Sequence, residues 1–118
     1  MKGALRGKTV LITGASRGIG AAIALRAAED GANVVLAAKT VEPHRKLPGT
    51  LPEVAAACEA AGGRALAVQM DLREIDQIEA AAAAAVDAFG GIDVLVNNAS
   101  VQTFAKTPDT TPKQFDLL

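Results

Sequence analysis

A glycine-containing junction between a predicted strand and a predicted helix constrains this chain more than any other feature. The apolar run at residues 9–12 leads into residues 13–20, where Gly14, Gly18 and Gly20 have the spacing G-x-x-x-G-x-G. Glycine permits a tight turn and lets a ligand approach bare backbone, and the following helix N-terminus offers free N–H groups and a partial positive charge. The junction therefore predicts a binding site for an anionic group such as a pyrophosphate.

Apolar runs and helical patterns alternate along the whole chain. Strands are predicted at residues 9–13, 33–38, 65–70 and 92–97, and helices at residues 18–30, 50–61, 74–89 and from 112 onward. Continuous apolar runs suit strands that are buried on both faces, as in a parallel sheet. The alternation predicts an α/β fold, a Rossmann-type doubly wound parallel sheet with strand order 3-2-1-4.

Two helices carry more local signals. Thr50 and Glu53 have the spacing of a capping box, which predicts the start of the second helix. In the third helix, Ile75, Ile78 and Phe89 are predicted to mark the buried side. The sequence therefore predicts where the second helix begins and which side of the third helix is buried.

Composition narrows the class of protein. The chain has 118 residues, half of them hydrophobic, and a formal net charge of −1 without a basic stripe, so no nucleic-acid partner is expected. It has no long apolar run that predicts a membrane span and no apolar segment near its start that predicts a signal peptide. The single Cys58 is interpreted as a core residue in a reducing compartment, which favours a cytoplasmic location. The lone His44 does not make a metal site.

The last elements look incomplete. Val94, Leu95 and Val96 would form an open apolar edge of the sheet, and the helix from Pro112 has barely two turns. We expect residues 1–118 to be the N-terminal part of a single Rossmann dinucleotide-binding domain whose catalytic part lies beyond them. The alternative is that a second copy of the chain covers the open edge.

Three motifs together resemble the short-chain dehydrogenase/reductase superfamily over the whole chain. They are the glycine segment at residues 13–20, Asp71 after the third strand, and Asn-Asn-Ala-Ser at residues 97–100 after the fourth. Family members usually carry glycine where this chain has Ser100. Residues 38–50 are similar to a segment, K-T-x-x-P-H-x-K-L-P-G-T, of the hydroxysteroid-dehydrogenase-like branch.

Two cationic side chains bear on the choice of cofactor. An NAD site places an acid at the end of the second strand to bind the adenosine ribose, but that position is Ala38, followed by Lys39. Arg17 lies inside the glycine turn, and both cations suit a 2′-phosphate. We therefore expect NADP(H) rather than NAD(H). In the alternative, Arg17 and Lys39 are solvated surface charges.

The resemblance implies further contacts to the cofactor. It assigns the Ile19 N–H to the phosphates, Asp71 to the adenine amino group, and Ala99 with Ser100 to the nicotinamide-side ribose. Asp71 has the alternative of a helix N-cap. The expected cofactor-binding residues are Gly14, Ser16, Arg17, Gly18, Ile19, Gly20, Lys39, Asp71, Leu72, Asn98, Ala99 and Ser100.

Two parts of this assignment stay open. For Asn97 and Asn98, a purely structural role on the strand backbones is an equal alternative to cofactor contact. The segment around His44 is interpreted as a solvated loop, with a phosphate-contacting lid as the alternative.

The resemblance also implies an activity. Short-chain dehydrogenases pass a hydride between nicotinamide C4 and a carbonyl or alcohol carbon, using a Tyr, a Lys four residues later, a Ser and an Asn. This chain contains no Tyr, so no catalytic residue is assigned and the 118-residue stretch alone is expected to be inactive. A small carbonyl or alcohol substrate and a homo-oligomer, dimer or tetramer, are implied. The alternative function is a non-catalytic nucleotide-binding or self-associating module.

Overall fold

A four-stranded parallel sheet organises the protein. The computed structural model describes residues 3–39 and 50–99. Its elements are β1 (Thr9–Thr13), α1 (Gly18–Glu29), β2 (Asn33–Ala38), α2 (Leu51–Ala60), β3 (Arg64–Gln69), α3 (Ile75–Phe89) and β4 (Val94–Val96). The strand order is β3-β2-β1-β4 and all three pairings are parallel. The predicted incomplete Rossmann-type sheet and its order are confirmed, and the helix expected from residue 112 lies outside the described residues.

The first two strands have the predicted bounds, whereas the fourth is shorter than predicted. Backbone pairing of β4 stops at Val96, because the Asn98 N–H donates to the Val96 carbonyl at 3.1 Å and turns the chain out of the strand. At the other end, Asp93 precedes the strand and its carboxylate accepts the Thr9 N–H at 2.8 Å. The fourth strand therefore keeps 3 residues of the predicted run.

Side chains alternate between the two faces of the sheet. From β1, Val10 and Ile12 enter the cluster that packs against α1 and α2, while Leu11 enters the cluster against α3. This period of two is the geometry of a strand covered on both faces. Cys58 on α2 lies in the first cluster with no exposed surface, which confirms it as a core residue. Burial raises the pKa of its thiol.

The prediction for the buried side of α3 is wrong at two of three positions. Ile75 and Ile78 are 71% and 37% exposed, while Ala81 and Ala85 are fully buried and Phe89 packs beside them. Residues four apart lie on one helix face, so these three define the side that meets the sheet. Ala81 and Ala85 belong to a run of six alanines, so the sequence does not distinguish them from the exposed alanines beside them. The prediction therefore relied on the larger Ile75 and Ile78, which lie on another face.

The ends of the helices follow the expected chemistry. The Thr50 hydroxyl accepts the Glu53 N–H at 3.3 Å, as the capping-box spacing predicts. Gly31 after α1 and Gly90 after α3 have φ of +92° and +86°, a conformation that favours glycine. Among the described helices, none is both long and apolar enough to cross a membrane.

Candidate nucleotide-binding site

Three glycines shape the turn between β1 and α1. Gly14 has φ of +66° and Gly18 has φ of +60°. A Cβ atom on Gly14 would lie 3.0 Å from Asn98 Nδ2 and 3.1 Å from Ala99 Cα, whereas one on Gly18 would meet nothing within 4 Å. The first glycine therefore makes room for the chain after β4. The second leaves open space in front of the helix.

Gly20 brings the helix against the turn. A Cβ atom there would collide with the Gly14 carbonyl and lie 2.6 Å from Asn98 Nδ2. The missing side chain of Gly20 therefore lets the start of α1 pack closely against the turn and the chain after β4. As a result, the first turn of α1 packs closely against the turn at the carboxyl end of the sheet.

The N-terminus of α1 presents unused donors. Arg17 is the N-cap residue and provides no side-chain cap, and its carbonyl accepts the Ala21 N–H at 3.3 Å. The N–H groups of the residues between them precede the first intrahelical bond, and the helix has no acid in its first turn. Ile19 exposes 73% of its surface on this turn. Backbone N–H groups and the helix dipole therefore favour an anion here.

The Arg17 guanidinium is the most unusual group of the site. Its Nη1 atom is buried and has no hydrogen-bond partner within residues 3–39 and 50–99. Buried polar groups are nearly always paired, because burying a polar group without a hydrogen bond costs roughly 2–7 kcal/mol. The cost for a charged group is higher. A phosphate oxygen would supply the acceptor that the described residues do not. Ser16, next to it, is also buried.

The Thr13 hydroxyl links the glycine turn to the chain after β4. It accepts the N–H groups of Asn98 and Ala99, both at 3.0 Å, and donates to the Val96 carbonyl at 3.4 Å. The Asn98 side-chain amide donates to the Thr13 and Gly14 carbonyls at 3.2 Å each. The structural alternative for Asn98 is therefore present. Sequence analysis missed Thr13, although its place beside β4 follows from the pairing of Ile12 with Val96.

Asp71 lies at the carboxyl end of β3 and does not cap α3. The N-cap residue is Glu74, so the alternative role of Asp71 as the N-cap is wrong. Its carboxylate binds Arg73, and the hydrogen bonds from Arg73 lower its pKa to about 2, with a smaller contribution from the charge of Lys39. Lys39 is exposed, and its backbone carbonyl accepts a hydrogen bond of 3.1 Å from the Gln69 side-chain amide. Asp71 and Lys39 thus share one edge of the sheet.

The predicted site residues fall into two groups along that edge. The glycine turn meets Asn98 and Ala99 at the ends of β1 and β4, while Lys39 and Asp71 follow β2 and β3. Leu72 is exposed beside Asp71. Ser100 and the segment around His44 lie outside the described residues. Both groups lie at the carboxyl ends of parallel strands, where α/β sheets bind their ligands.

This arrangement defines a nucleotide-binding domain of the Rossmann class. β1 is flanked by β2 on one side and β4 on the other, so the glycine turn stands where the strand order reverses. The family model described as short chain dehydrogenase matches residues 8–118. The chain belongs to the short-chain dehydrogenase family, a family of oxidoreductases, as the motifs predicted.

Known relatives agree with this assignment. The chain is 60% identical over 116 residues to the hydroxysteroid dehydrogenase-like protein 2 of Xenopus laevis, which confirms the predicted branch. That match covers 98% of this chain but 28% of the relative, so the chain spans under a third of its length. A short chain dehydrogenase of Mycobacterium thermoresistibile superposes with a TM-score of 0.89 at 54% identity, over 97% of this chain and 41% of the other.

Solved relatives carry either cofactor. A metagenomic short-chain oxidoreductase in complex with NADP has a TM-score of 0.82 at 43% identity, over 97% of this chain and 49% of the other. A short chain dehydrogenase of Mycobacterium paratuberculosis bound to NAD has a TM-score of 0.80 at 32% identity, over 98% of this chain and 45% of the other. The choice between the two cofactors therefore depends on the residues of this chain.

Proposed function

We propose that this chain supplies the cofactor site of an NADP(H)-dependent oxidoreductase that acts on a small carbonyl or alcohol substrate. The observation that carries the proposal is the buried Arg17 Nη1 atom, which has no partner among the described residues and lies at the N-terminus of α1. Such a group fits a phosphate, because the guanidinium is always charged and can bind two oxygens at once.

The end of β2 favours the phosphorylated cofactor. The strand ends at the buried Ala38, which offers no carboxylate to the ribose hydroxyls, and the exposed Lys39 follows. The carboxylate of Asp71, on the neighbouring strand end, is paired with Arg73, so its charge opposes a 2′-phosphate less. A solved relative in complex with NADP supports the same choice, whereas another bound to NAD does not.

Each part of the site has a role in this proposal. Arg17 and Lys39 bind the 2′-phosphate, and the N–H groups of Gly18 and Ile19 bind the pyrophosphate. Asp71 binds the adenine amino group, and Ala99 and Ser100 lie along the nicotinamide-side ribose. NADPH, when bound, supplies the hydride that reduces a carbonyl carbon. Thr13 and Asn98 hold the turn and the chain after β4 in one arrangement, so the site needs little reorganisation on binding.

The whole protein extends the proposal. Residues 1–118 form the N-terminal part of one Rossmann domain, and the residues that act on the substrate belong to the part beyond them. This division is supported by the small share of the curated relatives that the chain spans. The protein is proposed to work in the cytoplasm as a homo-oligomer, a dimer or tetramer.

A charge-removal experiment tests the cofactor assignment. The double variant Arg17→Ala with Lys39→Ala should bind NADPH about 100-fold or more weakly than the wild type, because two charge-assisted contacts are lost. NADH binding should change by less than about threefold. Binding is measured by the fluorescence of the reduced nicotinamide, which this chain, with no Trp or Tyr, does not obscure.

A matched control separates local contact from total charge. Arg26→Ala with Arg64→Ala also removes two cations, one exposed on α1 with Glu29 and Asp30 as its partners, the other stacked on Phe89. This control should bind NADPH as the wild type does. Equal losses of NADPH and NADH binding in the Arg17 and Lys39 variant would contradict the 2′-phosphate assignment.

A further inference from the structure

Arg73 donates three hydrogen bonds to the carboxylate of Asp71. Asp71 Oδ1 accepts the Arg73 backbone N–H at 3.0 Å and its Nε at 3.1 Å, and Oδ2 accepts Nη2 at 2.9 Å. The two side-chain bonds run in parallel from one guanidinium, which fixes the plane of the carboxylate as well as its position. These three bonds restrain the orientation of the Asp71 side chain relative to the end of β3.

The backbone of Asp71 is anchored as firmly as its side chain. Its N–H donates to Gln77 Oε1 at 2.8 Å, and its carbonyl accepts the Glu74 N–H at 2.9 Å. Both partners belong to the start of α3. The start of α3 thus holds the backbone of Asp71, while Arg73 holds its carboxylate.

Among residues 3–39 and 50–99, the hydrogen bonds leave one acceptor position of the Asp71 carboxylate open. An ionised carboxylate has about four lone-pair positions, two on each oxygen. Arg73 uses both positions on Oδ1 and one on Oδ2, so the remaining position lies on Oδ2. The hydrogen bonds that hold the pKa of Asp71 at about 2 keep the group ionised, and an ionised carboxylate accepts and does not donate.

We propose that Arg73 is a positioning residue for base recognition: it fixes Asp71 so that a single acceptor on Oδ2 selects a purine with an exocyclic amino donor. Adenine carries such a donor at its 6-position. Hypoxanthine carries an oxygen there, and an oxygen facing a carboxylate leaves both groups without a proton between them. This inference rests on the proposed function, since it assumes that the adenine of the cofactor reaches Asp71.

The test compares NADPH with its hypoxanthine analogue. The wild type should bind NADPH about tenfold or more tightly than the analogue, the value of one hydrogen bond to a charged group. Arg73→Ala should reduce this ratio to about twofold, mainly by weakening NADPH binding, because the freed carboxylate can rotate away. Arg73→Lys, which can donate but has no planar fork, should give a ratio between the two.

Two further variants define the outcomes. Asp71→Asn should bring the ratio close to one, because an amide can present either a donor or an acceptor. Arg26→Ala, an exposed cation elsewhere, should leave the ratio unchanged. If Arg73→Ala weakens both ligands equally, Arg73 acts only on the local structure or charge and the inference is wrong. If the wild type binds neither ligand, the proposed function fails and this inference fails with it.

Discussion

The two faces of the sheet differ in how completely the described residues cover them. On one face, Ile12 and Leu36 of the sheet are fully buried beneath α1 and α2, and Leu51 of α2 is fully buried with them. On the other face, α3 covers the sheet with alanines, and the β3 side chains Leu66 and Val68 are only partly buried. The first face is a closed core, whereas the second is a thinner layer.

The edge at β4 continues this contrast. Leu95 is 57% exposed, and Val94 and the α3 residue Val86 are also exposed. Apolar exposure of this kind is typical of surfaces that contact other protein segments. We therefore expect the α1 and α2 face to contribute most of the stability of the described residues. Mutations on the two faces should therefore have unequal costs.

Loss of a large core side chain should produce the largest effect. Leu36→Ala, at a position with no exposed surface, should lower the free energy of unfolding by about 2 to 5 kcal/mol, since a cavity remains in a closed core. Val86→Ala on the thinner face should cost less than about 0.5 kcal/mol. Urea unfolding followed by circular dichroism measures both variants. Equal costs would break the contrast between the faces.

A substitution at the glycine turn should come next. Gly20→Ala forces a Cβ atom against the Gly14 carbonyl and the Asn98 side chain, so it should cost about 1 to 3 kcal/mol. Gly91→Ala is the matched control, because a Cβ atom there meets nothing within 4 Å. Thermal unfolding compares the pair. A stable Gly20→Ala protein would show that the turn is less tightly packed than the distances indicate.

The link through Thr13 should give a smaller effect. Thr13→Val keeps the shape of the side chain but removes the hydroxyl that accepts the Ala99 N–H and one of the two acceptors of the Asn98 N–H, at a cost of about 1 to 2 kcal/mol. Thr13→Ser retains the hydroxyl and should retain most of the stability. Hydrogen exchange at the two amides provides a direct measurement. Unchanged protection in Thr13→Val would contradict the link.

Elements were predictable where one local pattern determined them. β1 and β2 matched because continuous apolar runs between turn residues leave few other solutions. The buried side of α3 was not predictable, since alanines that pack and alanines that face solvent look alike. The end of β4 depends on Asn98, whose partner Thr13 lies 85 residues earlier in the chain.

The candidate site was predictable in its residue types more than in its geometry. Glycine spacing predicts the turn, but it does not predict that Arg17 Nη1 is buried and lacks a partner among the described residues. The hydrogen bonds from Arg73 to Asp71 depend on the backbone conformation before α3, and residue spacing does not predict that conformation. Such contacts arise only when separate elements come together.

The relative affinity of the wild-type protein for NADPH and NADH tests the central claim most directly. Both ligands report through the same nicotinamide fluorescence, and titrations at two salt concentrations separate specific contacts from general attraction. We predict that NADPH binds about tenfold or more tightly than NADH, because Arg17 and Lys39 contact a group that NADH lacks. Equal affinities, or tighter binding of NADH, would contradict the account.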